Sequence, residues 1–85
     1  MSDEVIVRMT IKFINSSEEN YQFSRQKVDE STITKKIQEA LESKYLIIDL
    51  KNKVQVIPIH NILSIEITPP PLKLPSNTLN EAILV

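Results

Sequence analysis

The chain has no cysteine, no glycine and no tryptophan, and it carries a single histidine. Each gap removes a class of chemistry. Without cysteine there is no disulfide framework, no thiolate nucleophile, no iron–sulfur cluster and no thiolate zinc site. Without glycine the phosphate-cradling loop and the dinucleotide-binding turn are missing, because both need backbone that only a residue lacking Cβ adopts freely. One imidazole cannot build a multi-histidine metal site. No cofactor and no metal is therefore expected.

Long apolar runs are also lacking, since none approaches the roughly 20 residues that span a bilayer. The stretch "MSDEVIVRMTIKF" has no cationic start followed by an apolar run and a small-residue cleavage site, as a secretory signal would. The expectation is a soluble, cytoplasmic protein with no membrane partner. Nor is there an excess of charge of one sign: ten Lys and Arg stand against eleven Asp and Glu, a net charge of −1. That balance argues against a dedicated polyanion binder, whose affinity comes from clustered basic side chains.

What remains is an ordinary globular composition, with 41% apolar and 25% charged residues in a chain of 85. That length makes one domain. A chain so short buries only about 60–65% of the surface its unfolded state exposes, so its stability margin is thin.

Hydrophobic alternation organises the first two-thirds. Val5, Val7, Met9, Ile11 and Phe13 are apolar at every odd position, which predicts a half-buried strand. "NSSEEN" is a turn in which Asn15 or Asn20 is expected to take positive φ, and "YQFS" sets Tyr21 and Phe23 on one face of a second strand. In "STITKKIQEALESK", Ile33, Ile37, Ala40 and Leu41 form a narrow apolar stripe on a helix capped by Ser31 or Asp29. Lys44 lies where positive charge suits the helix C-terminus. "YLIIDL" places Leu46, Ile48 and Leu50 inward, and "VQV" places Val54 and Val56 inward after a polar turn at Asn52. Pro58 removes an amide donor and interrupts the ladder, so "IPIHN" reads as a bend or a single 3₁₀ turn. "LSIEIT" is a fifth strand with Leu63, Ile65 and Ile67 inward.

The fold class is thus α+β: an antiparallel twisted sheet of about five strands in the order ββαβββ, with one packed helix. A partly open barrel is one form such a sheet can take. The expected core is Val5, Val7, Met9, Ile11, Phe13, Tyr21, Phe23, Ile33, Ile37, Leu41, Leu46, Ile48, Val54, Val56, Leu63, Ile65 and Ile67. Residues 1–68 form the domain, and residues 69–85 form a proline-rich extended tail. Its "PPPLKLP" suits polyproline II, about 20 Å long at roughly 3.1 Å per residue. Leu79, Ala82 and Ile83 have the spacing of one short helical turn.

Candidate chemistry is sparse. His60 alone has an ordinary pKa near neutrality, but no local Ser/Asp arrangement equips it as a catalytic base, and a polar bend residue is the better reading. The pairs Asp3/Glu4, Glu18/Glu19 and Asp29/Glu30 lack the ligand spacing of a hard-cation loop. They read as solvated loop charge. Lys12, Arg25, Lys27, Lys35 and Lys36 could gather into one basic patch, yet no aromatic stacking platform accompanies them. The strongest interaction feature is the tail, with Pro69, Pro70, Pro71, Leu72, Leu74 and Pro75 as candidate partner-binding residues. A preformed polyproline II segment loses little entropy on docking. Leu72 and Leu74 could equally pin the tail to the chain's own sheet.

Two stretches, "VIVRMTIKF" and "VIPIHNILSIEITPPPLKLP", resemble a group of short uncharacterised cyanobacterial proteins, a likeness that covers about a third of the chain and implies no activity. Strand, bend and strand in "VQVIPIHNILSIEI" are similar to the last two strands of Sm-like and SH3-like barrels, a resemblance that implies RNA or peptide binding. The absent glycines and the helix after the second strand depart from that pattern, and no site residue is carried over. The expected function is a small non-enzymatic protein-interaction module using a sheet edge or the Pro/Leu tail, its partner another protein or a second copy of itself. The alternative is a nucleic-acid-binding small barrel using Arg25, Lys27, Lys35 and Lys36.

Overall fold

A computed structural model describes residues 6–71 and 74–85. Val5 of the expected core and Leu72 of the expected tail site lie outside the described residues. The order is β1 (Ile6–Phe13), β2 (Glu18–Ser24), α1 (Glu30–Ser43), β3 (Tyr45–Leu50), β4 (Lys53–Pro58), a 3₁₀ turn (Ile59–Asn61) and β5 (Ile62–Thr68). This is the α+β fold and the ββαβββ order expected from alternation. The strands do not join one ladder: they divide into a three-stranded antiparallel sheet, β2-β1-β5, and a two-stranded hairpin, β3-β4. The assembly is open.

Alternation works cleanly in β1, the central strand of the larger sheet. Val7, Met9 and Ile11 are buried on one face of β1, flanked in register by Phe23 and Tyr21 of β2 and by Ile67 and Ile65 of β5. Arg8, Thr10 and Lys12 point the other way, Thr10 donating its hydroxyl proton to the Asn20 side-chain oxygen at 2.7 Å. The β1–β2 turn corrects one expectation. Ser16, not Asn15 or Asn20, takes the positive φ of 73°. Asn15 instead accepts from the Ser17 amide and hydroxyl at 3.0 and 2.6 Å, a side-chain mimic of a backbone turn.

Helix α1 starts at Asp29, whose carboxylate accepts from the Thr32 amide at 2.8 Å. That hydrogen bond holds the Asp29 carboxyl below its ordinary value of 3.8. The helix ends at Lys44, which adopts the left-handed conformation (φ 75°) usually left to glycine and donates its amide to the Ala40 carbonyl. Ile33 and Ala40 are buried and Ile37 packs beside them, but Leu41 is 59% exposed and is not a core residue. The small Ala40 faces the core, which carries Leu41, one step further round the helix, past the edge of the contact.

Two strands depart from the expected facing. In β4 the buried side chain is Ile57, while Val54 and Val56 face outward. The register Leu46↔Ile57 and Ile48↔Gln55 puts Gln55 on the core side with them. In β5, Leu63 is exposed because the β1 pairing shifts between Lys12 and Phe13: Ser64 pairs with Lys12 and Ile62 with Phe13. Leu63 is the extra residue of a bulge, and Ile62 occupies the packed position instead. The 3₁₀ turn forms where Pro58 interrupts the strand, as expected, and two amides tie it in. Ile59 donates to the Lys44 carbonyl and Ile14 to the Asn61 carbonyl, each at 3.0 Å.

Candidate interaction surface

The facing of β4 has an identifiable cause. Tyr21, buried on β2, brings a hydroxyl to the core margin, and a buried hydroxyl needs a partner. Its proton goes to the Gln55 side-chain oxygen at 2.6 Å, and the Gln55 amide donates to the Glu19 carboxylate at 3.3 Å. Glu19 also lies 3.2 Å from the Tyr21 oxygen. Burial first, then the adjacent Glu19 charge, pushes the Tyr21 hydroxyl from 10.0 up to about 12. This cluster bridges the three-stranded sheet to the hairpin. It requires Gln55 to point inward, so by period-two geometry Val54 and Val56 must point out.

The consequence is an apolar outer face on the hairpin. Ile47 pairs with Val56, Asp49 with Val54 and Tyr45 with Pro58, all on the side away from the core. Tyr45, Ile47, Val54 and Val56 are each between 52 and 65% exposed. Ile47 and Val56 are directly paired, with Cβ atoms about 4.5–5.5 Å apart, and Tyr45 and Val54 stand two residues along each strand on the same face, at the roughly 7–8 Å that long side chains bridge, so the four form one patch. They leave on the order of 400 Å² bare, comparable to the largest apolar patch of a typical monomer, which is often functional. The sequence carried a signal for it: Tyr45 and Ile47 alternate with Leu46 and Ile48, so β3 is apolar on both faces, the pattern of a strand covered twice.

Other expected sites are placed as follows. His60 stands exposed in the 3₁₀ turn. Of the five basic residues, Arg25 is committed to Glu30 at 3.0 Å and Lys36 approaches Glu39 at 3.4 Å. Lys12 faces Glu18 across the β1–β2 ladder, and Lys27 and Lys35 are exposed. Acidic neighbours thus interleave with the basic ones. Glu30 itself is buried at 4% exposure, making Arg25 its charge partner at the helix start. Among the described residues, no group of three His, Asp or Glu side chains converges as a metal site would need, and no helix is long and apolar enough to cross a membrane.

The tail residues 69–71 and 74–85 form neither helix nor strand. The turn that does form is at Ser76–Asn77, where the Thr78 amide donates to the Pro75 carbonyl at 3.1 Å, so the spacing of Leu79, Ala82 and Ile83 does not make a helical turn. Leu74 and Pro75 share a shallow depression of about 390 Å³ with Ser31, Thr34, Lys35 and Gln38, on the polar side of α1. A second depression, about 360 Å³, lies between α1, β3 and the larger sheet and is lined by Met9, Phe23, Ile33, Ile37 and Leu46. Comparison with family models, curated proteins and solved structures finds no match for the chain.

Proposed function

We propose that the protein is a small non-enzymatic protein-interaction module whose docking surface is the outer face of the β3–β4 hairpin. The observation that carries this reading is the continuous exposed patch of Tyr45, Ile47, Val54 and Val56. Its chemistry suits a protein partner that presents a flat, weakly charged face of aliphatic and aromatic side chains. Beside the Ile47–Val56 pair, Tyr45 adds a residue type that interfaces favour, a large rigid ring with a polar tip. The proline-leucine tail has a lesser part in this reading, because Leu74 and Pro75 border a depression beside polar residues of α1 and form no continuous apolar face with it.

The test is capture of partner by matched baits: the full chain, the double variant Ile47→Lys/Val56→Lys, and the chain without residues 69–85. The double variant should lose the partner that the full chain retains. The truncated chain should keep it, with circular dichroism confirming that both baits are folded. Retention of the same partner by the double variant refutes the reading.

A further inference from the structure

We infer that the partner of the hairpin face is a second copy of this chain, stacked on it about a two-fold axis that runs along the Ile47–Val56 pair. The inference rests on the hairpin face being the docking surface. Its first support is size. A standard interface buries about 800 Å² per partner, and in homodimers roughly 65% of it is apolar, which asks for about 500 Å². Tyr45, Ile47, Val54 and Val56, with the half-buried Pro58 beside Tyr45, come close to that area without any contribution from the rest of the surface.

The second support is that the patch complements itself. A two-fold interface brings the same surface to both sides, so a central charge would meet its own copy and repel it. The centre here is Ile47 beside Val56, and the charge within the face, Asp49, sits toward the β3–β4 turn. An axis along the central pair reverses the strand direction of one copy over the other, within the roughly 30° that stacked sheets tolerate. Ile47 then lies over Ile47, Val56 over Val56 and Val54 over Pro58 of the other copy. Asp49 of each copy comes over Tyr45 of the other, where a phenolic hydroxyl can donate to the carboxylate. The two Asp49 carboxylates fall at opposite ends of the interface, so these two charges do not meet, and Lys36 and Glu39 of α1 border its rim beside Ile47 and Tyr45.

The experiment uses the full chain in sedimentation equilibrium, over a concentration series reaching about 1 mM, the weak end of specific association. A monomer–dimer equilibrium is expected. Ile47→Lys/Val56→Lys should weaken the dimer at least about thirtyfold, the loss typical of a buried interface centre. Ile47→Thr/Val56→Thr, which keeps β-branched residues in both strands, should weaken it in the same direction. Both should leave the far-ultraviolet spectrum unchanged, because neither side chain belongs to the core. Since the chain has no cysteine, Ile47→Cys gives one thiol per copy, and a short bis-maleimide should link it into dimers. Gln22→Cys, on the outer face of the larger sheet, should not link. A chain that is monomeric throughout the series overturns the self-association and leaves the face to a foreign protein, which the bait comparison above decides. A dimer that survives both double variants, or that links through Gln22→Cys and not Ile47→Cys, overturns both the partner and the surface.

Discussion

Ile57→Ala and Val56→Ala form a matched pair that tests the facing of β4. The two residues are adjacent, yet Ile57 is 7% exposed and Val56 is 57% exposed. Truncating Ile57 removes three carbons packed against Leu46 and the rest of the core; at about 0.8 kcal/mol per buried CH₂ the transfer loss is about 2.4 kcal/mol. The cavity left behind brings the expected cost to about 3–4 kcal/mol. A chain of this length has a total stability of only about 4–13 kcal/mol, so the loss is about a quarter of it or more. Val56→Ala loses strand propensity and an exposed contact with Ile47, a cost of about 0.5–1 kcal/mol. The assay is urea denaturation in dilute solution, where association does not add to apparent stability. The Ile57→Ala midpoint should fall by about 2 M and that of Val56→Ala by well under 1 M. Equal losses, or a larger loss at Val56, would refute the register and with it the apolar outer face.

Two further perturbations probe the polar contacts that set this geometry. Tyr21→Phe leaves the Gln55 oxygen without its donor and should cost about 0.5–1.5 kcal/mol; because the folded hydroxyl titrates near 12 rather than 10.0, the neutral phenol favours the folded state. The wild type should therefore lose stability as the pH rises from 10 toward 12, and Tyr21→Phe should flatten that decline in a series of melting curves. Arg25→Ala strands the buried Glu30 carboxylate and should cost about 1–3 kcal/mol, while adding Glu30→Gln should restore part of the loss. A double-mutant cycle with no coupling would show that the 3.0 Å pair contributes nothing.

Local pattern was enough for most of the fold. β1 reads unambiguously because each inward position is apolar and the outward ones carry Arg8, Thr10 and Lys12. The 3₁₀ turn after Pro58 follows from single-residue chemistry that needs no tertiary context, and the same chemistry narrows the helix cap to Ser31 or Asp29, of which Asp29 takes it. Three facings were not legible, and each failed for a different reason. Val54 and Val56 look inward if apolarity alone is counted, but a long-range hydroxyl on Tyr21 claims Gln55 for the core side. Leu63 continues a clean alternation that a bulge breaks, and a bulge is a property of the pairing with β1 rather than of β5 alone. Leu41 fits the helical stripe, yet the helix rests on Ala40, and the width of that contact depends on the strands beneath it. The candidate surface was hidden by the same error, since reading Val54 and Val56 as core erased half of the outer patch.

The facing of β4 and the proposed docking surface are therefore one structural choice. Because side chains alternate with period two, a slip of one residue would bury Val54 and Val56 and turn Gln55 and Ile57 to solvent. Counted by apolar residues on the strand, that slipped state buries two valines against one isoleucine, so hydrophobic burial alone favours it. What opposes it is the Tyr21 hydroxyl, which would lose its 2.6 Å acceptor at the core margin, a penalty of about 1–3 kcal/mol for an unsatisfied buried group. The observed register also keeps Ile57 against Leu46. The Tyr21–Gln55–Glu19 bridge thus selects the arrangement that leaves apolar surface exposed, and a partner on the proposed face would recover that burial. Binding and register would then reinforce one another: occupying the proposed face would stabilise the state in which Gln55 points inward, and removing the hydroxyl that claims Gln55 with Tyr21→Phe should weaken association in sedimentation equilibrium even though Tyr21 is buried away from that face.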